Sequence, residues 1–151
     1  EAEIKLDNLS KCLEEAYLLY FNTRKDIKLN LIKPENDIYF HFDTLQISRC
    51  FNNLIKNAIE AVEKIPNPAV EVLMSTDAKN IKIEIKDNGV GIDEKMLSKI
   101  FEPYFTTKAK GTGLGLSIVK RIIEDHGGKI KIEKNKNMAG TKSLINFEYN
   151  A

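Results

Sequence analysis

Several features that would mark a partner or a compartment are absent from this chain of 151 residues. The formal net charge is only +1, without a basic block, so electrostatics give no reason to expect nucleic acid or a membrane surface as partner. No apolar run approaches the roughly 20 residues of a membrane-spanning helix, and no signal-peptide pattern opens the chain. With 42% hydrophobic residues, the chain has enough for one core, and we expect a single domain.

Cysteine is also scarce. Cys12 and Cys50 both fall in amphipathic helical patterns, far apart and without metal-ligand spacing. We interpret them as reduced thiols buried in the core, which suits a reducing cytosol. The chain begins at Glu1 instead of a methionine, which suggests a piece of a longer protein.

Apolar residues at helical spacing predict helices, and two of them carry clear end signals. Asp43 with Gln46 three residues later resembles a capping box, and Gly127-Gly128 is typical of a helix C-terminus. The predicted helices are 7–23, 43–65, 93–100 and 113–126.

Alternating apolar residues predict strands between these helices. The predicted strands are 27–31, 38–42, 70–74, 81–85, 130–132 and 144–147. Since helices and strands each have one apolar face, we expect an α/β sandwich in which helices cover one side of a single sheet.

Two asparagines on the second long helix are candidates for chemistry. Asn53 and Asn57 are one helical turn apart, beside the apolar stripe of that helix. A neutral carboxamide oxygen is a suitable ligand for magnesium that already holds anionic phosphates. Taken alone, the same spacing is more typical of two solvated surface amides.

The first glycine motif, Asp87-Asn88-Gly89-Val90-Gly91, directly follows a predicted strand. A carboxylate at a strand end can accept a hydrogen bond from an exocyclic amine, and the glycines allow the backbone to approach a planar ring. This combination suits adenine. An ordinary hairpin turn remains the alternative for the motif in isolation.

A second glycine motif, Gly111-Thr112-Gly113-Leu114-Gly115, opens the last predicted helix. Backbone N–H groups at a helix N-terminus favour anions, so this segment is suited to phosphates. The spacing differs from that of a dinucleotide-binding motif because residue 116 is leucine. The P-loop pattern is also absent, since no hydroxyl residue follows the lysine of Gly128-Lys129-Ile130.

Together with Phe101-Glu-Pro-Tyr-Phe105, these segments form a four-part signature in one order. The chain resembles the catalytic, ATP-binding domain of bacterial sensor histidine kinases, in the superfamily shared with gyrase, the heat-shock chaperone and the mismatch-repair ATPase. The four segments are similar to its asparagine, first glycine, phenylalanine and second glycine boxes. The sequences of segments Phe101–Lys108 and Gly113–Lys120 most resemble those of the nitrogen-regulation branch of these kinases.

The resemblance implies a mixed sheet, with ATP held between the asparagine helix and a mobile lid over Pro103–Thr112. It assigns catalytic roles to Asn53, which would contact the phosphates, and to Asn57, which would bind Mg2+. Asp87 and Gly91 would recognise adenine. The other implied nucleotide-binding residues are Gly89, Ile92, Phe105, Gly111, Thr112, Gly113, Leu114, Gly115, Leu116 and Thr141. Lys56 and Lys108, like Lys110, are either phosphate contacts or plain solvated charges.

One departure from the superfamily bears on the reaction. Its ATP-hydrolysing branches have a water-activating glutamate one turn before the magnesium asparagine, whereas this chain has Asn53, a poor proton acceptor. The departure favours transfer to a side chain over hydrolysis. A hydrolysing ATPase and a degenerate nucleotide-binding or docking module remain the alternatives.

The resemblance also predicts partners outside the chain. We interpret His41 and His126 as structural, so the phosphoacceptor histidine would lie on a separate dimerisation domain. Residues 1–6 would connect that domain to the catalytic domain, residues 7–151. We expect a monomeric, cytoplasmic domain without nucleic acid as a partner. Its homodimeric parent would phosphorylate a response regulator and could be anchored in the inner membrane.

Overall fold

The computed structural model describes residues 2–105, 115–136 and 139–149. Within these ranges each predicted helix and strand has a counterpart, and one further strand is present. The helices and strands are β1 (Lys5–Asn8), α1 (Leu9–Phe21), β2 (Lys28–Ile32), β3 (Tyr39–Phe42), α2 (Thr44–Val62), β4 (Ala69–Thr76), β5 (Asn80–Asp87), α3 (Glu94–Leu97), α4 (Gly115–Asp125), β6 (Lys129–Lys134) and β7 (Thr141–Glu148). The short helix expected over 93–100 is only 4 residues long.

The main sheet is mixed and has five strands in the order β2-β4-β5-β7-β6. β2 runs parallel to β4, and the other neighbouring strands are antiparallel. The prediction of a single sheet is wrong for β3, which pairs with β1 in a separate two-stranded antiparallel sheet. β1 itself was not predicted, because its four residues lack an alternating apolar pattern.

The two faces of the main sheet differ in polarity. On one face, cross-strand neighbours such as Ile83 and Ile145 are buried, and α1, α2 and α4 lie over this face. On the other, Lys142 pairs with Glu133 at 3.0 Å and with Glu84 at 3.6 Å. The expected α/β sandwich, with helices covering one side, is therefore confirmed.

The N-terminus of α2 differs from a complete capping box. Oδ1 of Asp43 accepts from the backbone N–H of Gln46 at 3.0 Å, as the sequence predicts. The backbone N–H of Asp43, however, donates to Nε2 of His126 at 3.0 Å, and Oε1 of Gln46 is buried without a hydrogen-bond partner. A residue from another helix therefore replaces the glutamine half of the box.

The end of α4 confirms the predicted glycine stop. Gly127 has a φ of 75°, and its N–H donates to the carbonyl oxygen of Glu124 at 3.0 Å. The N–H of Gly128 donates to the carbonyl oxygen of Ile123 at 2.9 Å. These two bonds form a Schellman motif that satisfies the last carbonyls of the helix.

Cys12 and Cys50 are free, buried thiols, as expected. Burial raises the pKa of each to about 12, so neither is a reactive thiolate near neutral pH. None of the helices in the described ranges combines the length and apolarity needed to cross a bilayer.

Candidate nucleotide site

α2 places Asn53 and Asn57 at the edge of its buried face. Both residues are partly buried, and Nδ2 of Asn57 donates to Oδ1 of Asn53 at 3.2 Å. This bond turns the carboxamide oxygen of Asn57 away from Asn53, since the two amide substituents diverge. Lys56, between them in sequence, is exposed to solvent.

The first residue of α4 lies directly against Asn53. A β-carbon at Gly115 would be 2.8 Å from Nδ2 and 3.3 Å from Oδ1 of Asn53, so only glycine fits without displacing the asparagine. Leu116 follows, partly buried against the core. The structure thus joins the asparagine motif to the helical end of the second glycine motif, which are more than fifty residues apart in sequence.

Asp87 is the last residue of β5, and its side chain is buried with 5% relative exposure. Its Oδ1 accepts from the backbone N–H groups of Gly89 at 2.9 Å and Thr141 at 3.3 Å. Burial raises the pKa of Asp87, and these two amide hydrogen bonds partly oppose the shift. The result is a buried hydrogen-bond acceptor held in a fixed orientation.

Two glycines with positive φ lie beside this carboxylate. Gly91 has a φ of +79°, and a β-carbon there would make only ordinary van der Waals contact with the backbone of Gly140, 3.7 Å away. Gly140 has a φ of +113° and lies against the backbone carbonyl of Asp87. Gly140 precedes Thr141, so this close approach brings the start of β7 to the end of β5. The side chain of Asn135 adds a 3.3 Å bond from Nδ2 to the carbonyl oxygen of Asp87.

Asn88 fixes the glycine motif from its other side. Its Oδ1 accepts from the N–H of Ala69, and its Nδ2 donates to the carbonyl oxygen of Asn67, both at 2.9 Å. These bonds attach the motif to the loop before β4. Neither Asn88 nor Asn135 was predicted as a positioning residue, because the partners of each are distant in sequence and periodicity does not report them.

Both phenylalanines of the phenylalanine motif are partly buried. Phe101 is partly buried against the core, and Nζ of Lys120 lies 5.4 Å from its ring centroid. Phe105 is also partly buried, while Tyr104 is 75% exposed with a φ of 67°. Several expected site residues, namely Lys108, Gly111, Thr112, Gly113 and Leu114, lie outside the described residues, as does the lid beyond Phe105.

An open cavity of about 540 Å³ lies beside the first glycine motif. It is lined by Gly91, Ile92 and Gly140, with Lys134 and Glu94 at its rim joined by a 3.2 Å ion pair. The side chains with the relevant chemistry, those of Asn53, Asn57 and Asp87, are not among the described residues that line it. We therefore define the candidate site by these three side chains and not by the cavity.

The described residues contain no group of three or more His, Cys, Asp or Glu side chains able to hold a metal ion. On α2, the protein oxygens available to a metal ion are those of the neutral carboxamides of Asn53 and Asn57. Such ligands suit a magnesium ion whose remaining positions are filled by phosphate oxygens and water, and they are poor ligands for a softer metal.

Comparisons with known proteins agree with this geometry. Residues 42–150 match the family described as histidine kinase-, DNA gyrase B-, and HSP90-like ATPase. The chain is 33% identical to the catalytic domain of histidine kinase ThkA, with 97% of this chain and 96% of that domain covered and a TM-score of 0.86. A further solved structure is that of ThkA in complex with response regulator protein TrrA, at 29% identity and a TM-score of 0.82, covering 97% of this chain and 42% of that one.

Curated relatives are considerably longer than this chain. Sporulation kinase A of Bacillus subtilis (strain 168) is 40% identical over 143 residues, which are 93% of this chain and 23% of the relative. Nitrogen regulation protein NtrY of Azorhizobium caulinodans is 40% identical over 96 residues, covering 60% of this chain and 12% of the relative. The chain therefore belongs to the histidine kinase-, DNA gyrase B-, and HSP90-like ATPase family, as an ATP-binding catalytic domain of the sensor histidine kinase type.

Proposed function

We propose that this domain binds ATP with Mg2+ and transfers the γ-phosphoryl group to a histidine on a separate dimerisation domain. The observation that carries the proposal is the contact of Gly115 with Asn53, which joins the N-terminus of α4 to the two asparagines of α2. Anion-binding N–H groups and magnesium-binding carboxamides then face the same phosphates.

The adenine end of the site is assigned to Asp87. Its Oδ1 is occupied by two backbone N–H groups, so we assign Oδ2 to the exocyclic amine of adenine. Gly91, Ile92 and Thr141 border the ring in this proposal. A buried acceptor that loses its partner costs free energy, which makes the base a determinant of affinity.

Mg2+ fits the residues on α2. The carboxamide oxygen of Asn57 turns away from Asn53 and is assigned to the ion, with Asn53 assisting at the phosphates. Bound magnesium would neutralise negative charge on the transferred group. The protein's own contribution is to orient the phosphates and to supply N–H groups at α4.

Transfer is proposed instead of hydrolysis because Asn53 cannot act as a general base near neutral pH. A positioned water molecule would lack a proton acceptor at that place on α2. Phosphoryl transfer to a supplied side chain needs mainly positioning and charge neutralisation, which the site offers without a base.

The remaining proposals concern the longer protein. The curated relatives quoted above are at least four times the length that this chain spans in them, which leaves room for an acceptor domain and a sensor domain. We propose residues 1–6 as the connection to the acceptor domain, a homodimeric parent, and a cytoplasmic location for this domain. The ThkA–TrrA complex supports a response regulator as the downstream partner.

The test combines binding with transfer. Calorimetric titration with Mg-ATP is expected to give one site, and labelled ATP is expected to label the separated acceptor domain in an acid-labile form. The domain alone should release phosphate slowly. Rapid steady-state phosphate release without acceptor would favour a hydrolysing ATPase, and binding without any transfer would favour a nucleotide-binding module.

A further inference from the structure

His126 uses both of its ring nitrogens at the C-terminus of α4. The side chain is buried, Nδ1 lies 2.7 Å from the carbonyl oxygen of Ile122, and Nε2 accepts the backbone N–H of Asp43 at 3.0 Å. A carbonyl can only accept, and a backbone N–H can only donate. These partners fit the imidazole tautomer in which Nδ1 donates and Nε2 accepts.

This bond lies at one end of a pair of antiparallel helices, and the candidate site lies at the other. Asp43 faces His126 at the first end, and Asn53 faces Gly115 at the second. The ten residues from Asp43 to Asn53 span about 15 Å, and the eleven from Gly115 to His126 span about 17 Å. Because the two spans are nearly equal, the helices meet at both places: Asp43 with His126, and Asn53 with Gly115.

Between these two ends the helices pack through apolar side chains of the core. The thiol of Cys50 adds one weak polar contact, 4.0 Å from the carbonyl oxygen of Val119. Apolar packing is non-directional, whereas a hydrogen bond specifies both a distance and an angle. The bond from Asp43 to His126 is directional. Asp43 is also bonded to the segment before β1, where the N–H of Glu3 donates to Oδ2 of Asp43 at 2.7 Å.

We propose that His126 is a positioning residue for phosphate binding. It holds α4 at a fixed position along the axis of α2. It thereby sets where the N-terminal N–H groups of α4 lie relative to Asn53 and Asn57. The N-terminus of α4 lies directly against Asn53, where a β-carbon on Gly115 would be 2.8 Å from Nδ2, so a displaced α4 changes this contact. This inference rests on the proposed function, since it assigns a role within the same ATP site.

A role in packing alone would have a different signature. A loosened core lowers stability and weakens binding of adenosine and of the phosphates alike. A displaced α4 weakens binding of the phosphates and leaves the adenine end of the site, built from β5 and β7, in place. The ratio of Mg-ATP affinity to adenosine affinity separates these two roles.

The experiment compares substitutions at His126 with a control elsewhere. His126→Phe keeps the ring volume but removes both hydrogen bonds, and His126→Asn is too short to reach the N–H of Asp43. His126→Gln restores an acceptor at that distance. The control is Leu29→Ala, which destabilises the buried core at edge strand β2, at the opposite end of the sheet from β6.

Affinities for Mg-ATP by calorimetry and for adenosine by NMR titration are measured at a temperature where each variant is folded. We expect His126→Phe and His126→Asn to weaken Mg-ATP by about five-fold or more, with adenosine within about two-fold of wild type. His126→Gln should recover most of the loss, and Leu29→Ala should leave the ratio unchanged.

The outcomes separate the two proposals. Equal losses for Mg-ATP and adenosine, or no loss for either, in a folded His126→Phe or His126→Asn variant would overturn the positioning role while the ATP site stands. Wild-type protein that binds neither nucleotide would overturn the proposed function and this inference with it.

Discussion

Gly140 lies so close to Asp87 that a β-carbon on the glycine would overlap the backbone carbonyl oxygen of the aspartate. The contact holds the start of β7 against the end of β5. The N–H of Thr141, the next residue, then reaches Oδ1 of Asp87 at 3.3 Å. A glycine outside the four sequence boxes thus fixes the orientation of the buried carboxylate.

Substitutions at Gly140 and Gly91 separate steric overlap from backbone strain. Gly91→Ala should cost about 1 kcal/mol of unfolding free energy, because its φ of +79° is strained for alanine but the nearest atom is 3.7 Å from the new β-carbon. Gly140→Ala adds overlap with Asp87 and should cost at least about 3 kcal/mol. Chemical denaturation measures both, and equal costs would contradict the assigned overlap.

Asp87→Asn should weaken ATP binding. An asparagine oriented by the same two N–H groups presents an amide nitrogen where the carboxylate offers an acceptor, so it opposes the exocyclic amine of adenine. The expected loss is about 1–3 kcal/mol, or roughly one to two decades in affinity. For the same reason the wild-type protein should prefer ATP to GTP. Equal calorimetric affinities for ATP and GTP, or an unaffected variant, would contradict the assignment.

The same substitution should stabilise the protein without nucleotide. Burial raises the pKa of Asp87, so the folded protein holds this proton to higher pH than the unfolded chain does. Wild-type stability therefore falls as the pH rises from the unfolded pKa of about 3.9 through the folded value, and the loss is complete above it.

Asp87→Asn lacks this ionisation, and its amide oxygen can still accept from Gly89 and Thr141. Its advantage in Tm over wild type should grow with pH across that acidic window and stay constant at neutral pH. Thermal unfolding from pH 3 to 7 measures the difference. A variant that is less stable than wild type at pH 7 would show that the buried charge is not a cost to the fold.

The elements of the fold that the sequence predicts best are those specified by local patterns. α2 carries its own N-cap residue, Asp43, and a continuous apolar face, and its observed bounds, Thr44–Val62, lie close to the predicted ones. β1 (Lys5–Asn8) was missed because a short polar strand is stabilised by pairing with β3, more than thirty residues away. Propensity and periodicity contain no information about such a partner.

The candidate site likewise has features that local sequence patterns predict and others that they do not. Asn53, Asn57 and Asp87 could be chosen from residue type and spacing, and the structure places Asn53 beside Gly115 and Asp87 beside Thr141. The helix-end position of His126 was foreseen, but its bond to Asp43 spans 83 residues. Positioning residues of this kind follow from the packing of whole helices, which a local pattern does not encode.

Nucleotide binding should alter hydrogen exchange in the segment from Pro103 to Thr112. This stretch follows Phe101, which is anchored to the core and contacts Lys120, and it leads into the N-terminus of α4 beside Asn53. Closure over ATP would protect its amides from exchange. Mass spectrometry with and without Mg-ATP measures the change, and adenosine serves as the phosphate-free control. Equal protection in both states would rule out the lid assignment.

The last prediction concerns Asn57, whose replacement should stop transfer without unfolding the domain. Asn57→Ala removes the carboxamide assigned to Mg2+. Since loss of even an outer-shell partner of a metal ligand typically costs about 10–100-fold, transfer should fall by at least about 100-fold. The fold should persist because Asn57 lies at the edge of the buried face of α2.

Asn52→Ala is the matched control for this substitution. It removes the same side chain from the same helix, but Nδ2 of Asn52 bonds the carbonyl oxygen of Ser48 at 2.9 Å, within its own helix and not toward Asn53. Labelled ATP and the separated acceptor domain give the transfer rate, and circular dichroism confirms folding. Because Asn52→Ala leaves the assigned ligand in place, it should transfer at close to the wild-type rate. Undiminished transfer by folded Asn57→Ala, or an equal loss in both variants, would remove Asn57 from the magnesium site.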